Sequence, residues 1–195
     1  MSESFSLGKN GQFGQIDFSK LKSGLKKEDI TGGDKELESI WAMIDDGNGV
    51  LDKKEIEALK NKIKELAGDD NKLSKKEAKR FVDENGEKIG KQGREALYNF
   101  LNKLAEKTKD VDNISNQIIN GKECEVVKYN GGKKIEYLFE DGAKIVEEGN
   151  TKTHYDKDGN ITKTEVKGNE KTTVTEYEKG EVKRKEVTNY DGVLV

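Results

Sequence analysis

Proline is missing from this 195-residue chain altogether, and cysteine and histidine occur once each, as Cys124 and His154. Without proline there are no PxxP docking segments and no stiff Pro-rich linkers. One thiol cannot close a disulfide within the chain. One Cys and one His cannot build a Cys/His zinc site, which takes about four such ligands. Long apolar runs are lacking too, and no stretch approaches the roughly 18 consecutive apolar residues of a membrane span. The start, MSESFSLGKNGQFGQ, has neither a basic opening nor an apolar run. No signal peptide is therefore visible, and the expected location is cytoplasmic or reached by non-classical export. Hydrophobic residues make up only 31% of the chain, so any core is small.

Charge is abundant, at 38% of residues, but its signs are mixed: 36 basic against 39 acidic side chains, for a net −3. No basic block stands out, so the footprint of a nucleic-acid binder is absent. Phosphate-cradling glycine motifs and an HExxH pair are absent as well. Cys124 and His154 could serve as nucleophile and base only if brought together. They fall on separate expected strands with nothing local to activate them, so the chain reads as non-catalytic.

The chain divides by its periodicity. Residues 1–33 read as an irregular arm that packs on the first domain with a short helical turn, and its apolar positions are scattered: Phe13, Ile16, Phe18, Leu21, Leu25 and Ile30. From Asp34 to 109 the period is helical. Leu37, Ile40, Trp41 and Ile44 form one stripe behind an Asp34 N-cap. Ile56, Leu59, Ile63 and Leu66 form a second, with Asp52 and Glu55 as a capping box. Ser74 and Glu77 repeat that box before Ala78, Phe81 and Val82, and a fourth stripe holds Leu97, Phe100, Leu101 and Leu104. Residues 110–121 read as a polar connector.

From 122 to 195 the period drops to two. Ile135, Tyr137 and Phe139 alternate, and Asn-Gly or Asp-Gly turns recur about every ten residues, which argues for an antiparallel meander of hairpins. The expected fold class is α+β, a small helical domain followed by a β-hairpin meander. The meander's core is thin: between Thr151 and Asn189 the apolar side chains are Tyr155, Ile161, Val166, Val174, Tyr177, Val182 and Val187. At about 1.5–3 kcal/mol each, these seven cannot offset a backbone ordering cost of about 1–2 kcal/mol per residue over that span. The segment must lean on its first hairpins, on further repeats beyond Val195, or on a partner.

The most specific signal is IDDGNGVLDKKEIEAL at 44–59. With Gly49 at the sixth position of a calcium loop, Asp46, Asn48, Leu51 and Glu55 fall at the third, fifth, eighth and twelfth. The first position lands on Ile44, so the loop is one residue short, and Asp45 can take that role if the backbone tightens. Leu51-Asp52-Lys53-Lys54-Glu55 is echoed 22 residues later by Leu73-Ser74-Lys75-Lys76-Glu77.

Across residues 34 to 85 the chain thus resembles the EF-hand family, with the close tandem spacing of dockerin-like calcium repeats. The resemblance implies Ca²⁺ as cofactor. Its ligands would be Asp45, Asp46, Asn48, the Val50 carbonyl, Asp52 through water and Glu55. A worn second loop would offer Asp69, Asp70, Asn71, the Lys72 carbonyl and Glu77. It also implies that Leu51 and Leu73 meet in a miniature strand pair. A bland reading stands beside it, because the same residues make ordinary turns and helix starts. The function then becomes a metal-free interaction or secreted-effector module. YDKDGNITKTEV at 155–166 opens like a third calcium loop, but Ile161 and Lys167 occupy its sixth and twelfth positions, and it reads as a hairpin turn. In composition the C-terminal half weakly resembles YD-type or MORN-like hairpin repeats. This implies an unknown protein or surface as partner of the β-repeat.

Overall fold

The structure, a computed structural model, describes residues 16–67, 72–86 and 90–189. Phe13, Asp69, Asp70, Asn71, the Leu66 side chain and the final Asp191-Gly192 turn lie outside the described residues. The fold is α+β: a helical unit followed by an eight-stranded antiparallel meander.

The local helix signals hold. Asp34 accepts the N–H groups of Glu36 and Leu37 at 2.9 and 3.1 Å and opens the helix Lys35–Trp41. Asp52 and Glu55 exchange bonds of 2.9 and 2.8 Å ahead of Lys53–Ala67. Ser74 and Glu77 do the same at 2.8 and 3.3 Å before Lys75–Gly86. Each box satisfies N–H groups that the first helical turn leaves without partners. The helix Gly90–Thr108 then lays Leu97, Phe100, Leu101 and Leu104 into the same core as Trp41, Ile56 and Ile63.

The arm packs on the helical unit with a short helix, as expected, but it is more regular than an irregular arm. Residues 16–33 are part of the helical unit, with two two-residue strands, β1 (Ile16–Asp17) and β2 (Leu25–Lys26), and a short helix, α1 (Lys27–Thr31). The tandem loops carry matching strands, β3 (Val50–Leu51) and β4 (Lys72–Leu73). Leu51 and Leu73 do not pair with each other. Leu51 lies opposite Leu25, and Leu73 opposite Ile16. All four side chains are buried. The loops therefore find partners in the arm, because Ile16 and Leu25 offer the same apolar residue beside a helix start that Leu73 and Leu51 do. Bonds of 2.8 Å from Gly24 N–H to the Leu51 carbonyl and 2.9 Å from Lys27 N–H to the Gly49 carbonyl close the inner pair.

The connector is also corrected. Residues 110–121 hold a strand, β5 (Val111–Ile119), which turns at Asn120-Gly121 into β6 (Lys122–Tyr129). Asn120 and Gly121 both take positive φ, 52° and 78°, as a two-residue hairpin turn demands. The meander continues through β7 (Lys134–Phe139), β8 (Lys144–Glu148), β9 (Thr151–Tyr155), β10 (Ile161–Lys167), β11 (Lys171–Glu178) and β12 (Glu181–Asn189). Strand neighbours in space follow chain order throughout.

The helical unit rests on one face of β5–β7, where Val111, Val127 and Tyr129 are buried with Ile114 and Leu138 against them. Among the described residues the sheet beyond it is a single layer, and no residue of β8–β12 is fully buried. The thin core is thus supported at one end only.

Candidate metal centre

After Trp41 the second helix tightens as it ends. Ile44 N–H bonds to the Trp41 carbonyl, an i→i+3 contact, and Asp45 N–H bonds to the same oxygen, both at 2.9 Å. Ile44 packs on the core. Asp45 instead turns its carboxylate to the Gly49 N–H, at 3.1 and 3.2 Å. Gly49 sits at φ 80°, the left-handed turn that favours glycine. Asp45, the residue the sequence offers for the missing first position, thereby caps the Gly49 turn.

The loop brings three of its expected ligands together. Asp45, Asp46 and Glu55 each present a carboxylate oxygen, and the three oxygens lie within 4.8 Å of one another. The Glu55 oxygens also hold the loop shut: one accepts the Asp46 N–H at 2.6 Å, the other the Asp52 N–H at 2.8 Å. Asp46 accepts the Asn48 N–H at 3.1 Å. Asn48 is spent on the Val50 N–H at 2.7 Å, and Asp52 on its helix cap. Val50 pairs with Lys26 in the inner strand pair. In the second loop, Lys72 pairs with Asp17, and Glu77 accepts the Ser74 N–H and hydroxyl at 2.8 and 2.7 Å. Those two bonds hold the Glu77 carboxyl below the usual range. Asp69, Asp70 and Asn71 lie outside the described residues.

A cleft of about 400 Å³ separates the first loop and the arm from the sheet. Asn48, Val50 and Asp52 line one wall, and Cys124, Phe139 and the turn at Asp141-Gly142 line the other. Across it the arm is fastened to the sheet. Ser23 donates its N–H and hydroxyl to buried Glu125 at 2.8 and 3.0 Å. Lys22 pairs with buried Glu136, which also accepts the Tyr129 hydroxyl at 2.7 Å and Lys134 at 2.8 Å. Burial alone would push the Glu136 carboxyl up, but Lys22, Lys134 and Tyr129 outweigh it and hold the group at about 2. Burial, and then the Glu136 carboxylate, drive the Tyr129 phenol far up.

Sequence reasoning missed this fastening, although a signal was present. In CEVVKY and KIEYLF, Glu125 and Glu136 fall on the alternation that carries Val127 and Leu138, and a charge on a buried face needs a partner. Cys124 and His154 stay apart, with β7 and β8 between their strands. The His154 Nε2 lies 3.1 Å from Glu165. Burial lowers the imidazole's pKa, and Glu165 opposes it. At 155–166, Asp156 accepts the N–H groups of Asp158 and Asn160 at 3.0 and 2.8 Å and shapes a hairpin turn. Compared with protein-family models, curated proteins and solved structures, the chain matches none.

Proposed function

We propose that the chain is a non-catalytic calcium-binding protein whose loop 45–55 holds one Ca²⁺ and whose β-sheet serves as a spacer or docking surface. The observation that carries this reading is the convergence of the Asp45, Asp46 and Glu55 oxygens within 4.8 Å. Three carboxylates so close repel one another unless a cation or donated N–H groups offset their charge. An all-oxygen set suits a hard divalent ion. The Val50 carbonyl and a water on Asp52 would complete the shell. The mixed surface charge supports a partner other than nucleic acid, and no helix among the described residues is long and apolar enough to cross a membrane.

A second reading, an EF-hand-like interaction or effector module without metal, draws support from Glu55. Both of its oxygens already accept backbone N–H groups. Thermal melts in EGTA and in millimolar CaCl₂ separate the two. Calcium at 100 times its Kd stabilises by about 2.7 kcal/mol, enough to raise the melting midpoint by several degrees. Glu55→Gln keeps an acceptor for the cap but loses the bidentate charge, so it should abolish the shift. An unmoved wild-type midpoint hands the loop to the metal-free reading.

A further inference from the structure

The two edges of the meander are built differently. Among the described residues, β5 and β12 each have a strand neighbour on one side only. An open edge invites another strand, and proteins guard such edges with charge, most often lysine. β12 is guarded, since Lys183, Arg184 and Lys185 stand together near its middle. β5 is not. Asn113, Ile114, Ser115, Asn116, Gln117, Ile118 and Ile119 carry no charge. With Asn120 and Gly121 they form the longest uncharged run of a chain in which 38% of residues are charged. The strand has no glycine, and its one irregularity in pairing with β6 falls before Asn113. Ile118 is 71% exposed, more than any other large hydrophobic side chain among the described residues.

The spacing of the isoleucines matches itself in reverse. Antiparallel strands related by a two-fold axis place one residue opposite its own copy, and the flanking residues pair outward from it. With Asn116 on the axis, Ile114 lies opposite the second copy's Ile118, Ser115 opposite Gln117, and Asn113 opposite Ile119. Moving the axis to Ser115 sets Ile118 against Asp112, and moving it to Gln117 sets Ile118 against Asn116. Of these three registers, only the central one joins Ile114 to Ile118.

We infer that β5 is the interface of a homodimer, in which it pairs antiparallel with β5 of a second copy and joins the two meanders into one sheet. Ile114 packs against buried Val111, Val127 and Tyr129, on the face where the helical unit rests, and Ile118 belongs to the same face four residues on. The helical unit thus covers the first half of β5 and leaves Asn116, Gln117 and Ile118 exposed. The two-fold axis lays this open half beside the covered half of the other copy, so the two helical units stand diagonally apart on one face. Main-chain hydrogen bonds, about one per residue, replace water along both open edges. Ile118 is covered by the second copy's Ile114. The paired stretch spans about 24 Å, a contact well below the roughly 800 Å² per partner of a standard interface. The dimer is therefore weak, with a Kd of about 10–100 µM.

Sedimentation equilibrium of the full chain from about 5 to 500 µM tests the inference. A reductant keeps the free Cys124 from bridging copies. A monomer–dimer equilibrium is expected. Asn116→Lys sets two like charges opposite each other on the axis and should weaken it about tenfold or more. Val182→Lys, on the guarded edge, should leave it unchanged. Melting curves establish that each variant folds, and Ile118→Lys replaces Asn116→Lys if that one does not. A chain that stays monomeric throughout overturns the inference. Slow exchange of the 113–119 amides in that monomer would assign the edge to residues 1–15 of the same chain. A dimer that Asn116→Lys leaves intact, or that Val182→Lys weakens as much, overturns it too.

Discussion

Removal of residues 1–26 is expected to abolish the cooperative melt of the helical unit. Ile16, Phe18, Leu21 and Leu25 are all buried in its core. At about 1.5–3 kcal/mol each they contribute roughly 6–12 kcal/mol, an upper bound. That is comparable to the whole stability of a domain, about 5–15 kcal/mol. The deletion also leaves Leu51 and Leu73 without their strand partners. Far-UV circular dichroism on heating, with amide dispersion in a ¹H–¹⁵N spectrum, reads the result. A sharp transition with native dispersion in the truncated chain would show that the arm is only an appendage.

Lys22→Ala is expected to loosen the seat of the helical unit on the sheet. The substitution leaves the buried Glu136 carboxylate with Lys134 and Tyr129 alone. Breaking a fully buried pair costs about 3–5 kcal/mol, but Lys22 keeps some contact with solvent and other donors remain. A loss of about 1–3 kcal/mol follows. Faster hydrogen exchange in β6 and β7, with the helices still protected, would be its signature.

The acid response carries the same cause. Glu136 sits at about 2 in the folded chain, against about 4.3 when unfolded. A depressed carboxyl stabilises the fold fully above the unfolded value, and that contribution is lost as pH falls from about 4.3 toward 2. Lys22→Ala moves the folded value up, so the acid transition of the variant should shrink in this window. An unchanged acid transition and unchanged exchange would place the fastening elsewhere.

The sequence was legible where its physics is local. Asp34, Asp52 with Glu55, and Ser74 with Glu77 act within three residues, and each cap stands where its spacing puts it. The hairpins were equally open to reading, because Asp-Gly and Asn-Gly pairs determine their own turns. Two-residue strands have no period to detect. Nothing near Leu51 in the chain points to Leu25 rather than Leu73, and only the folded core selects between them. The strand Val111–Ile119 stayed hidden because its faces are mostly exposed and polar, although Val111 is buried and Asn120-Gly121 announces its turn. For the candidate metal centre, the shortened loop made Asp45 an inference from spacing. The tightened turn after Trp41 is what aims it at Gly49.

Amide chemical shifts during a calcium titration test the central claim most directly. Asp46, Gly49 and Asp52 donate their N–H groups to Asp45 and Glu55 carboxylates, so those three signals must respond to any ion held there. The account predicts saturable movement of these three amides, with Ser74 nearly still and no response in Glu55→Gln. Stationary signals at millimolar calcium, or a drift spread evenly over acidic residues, would contradict it.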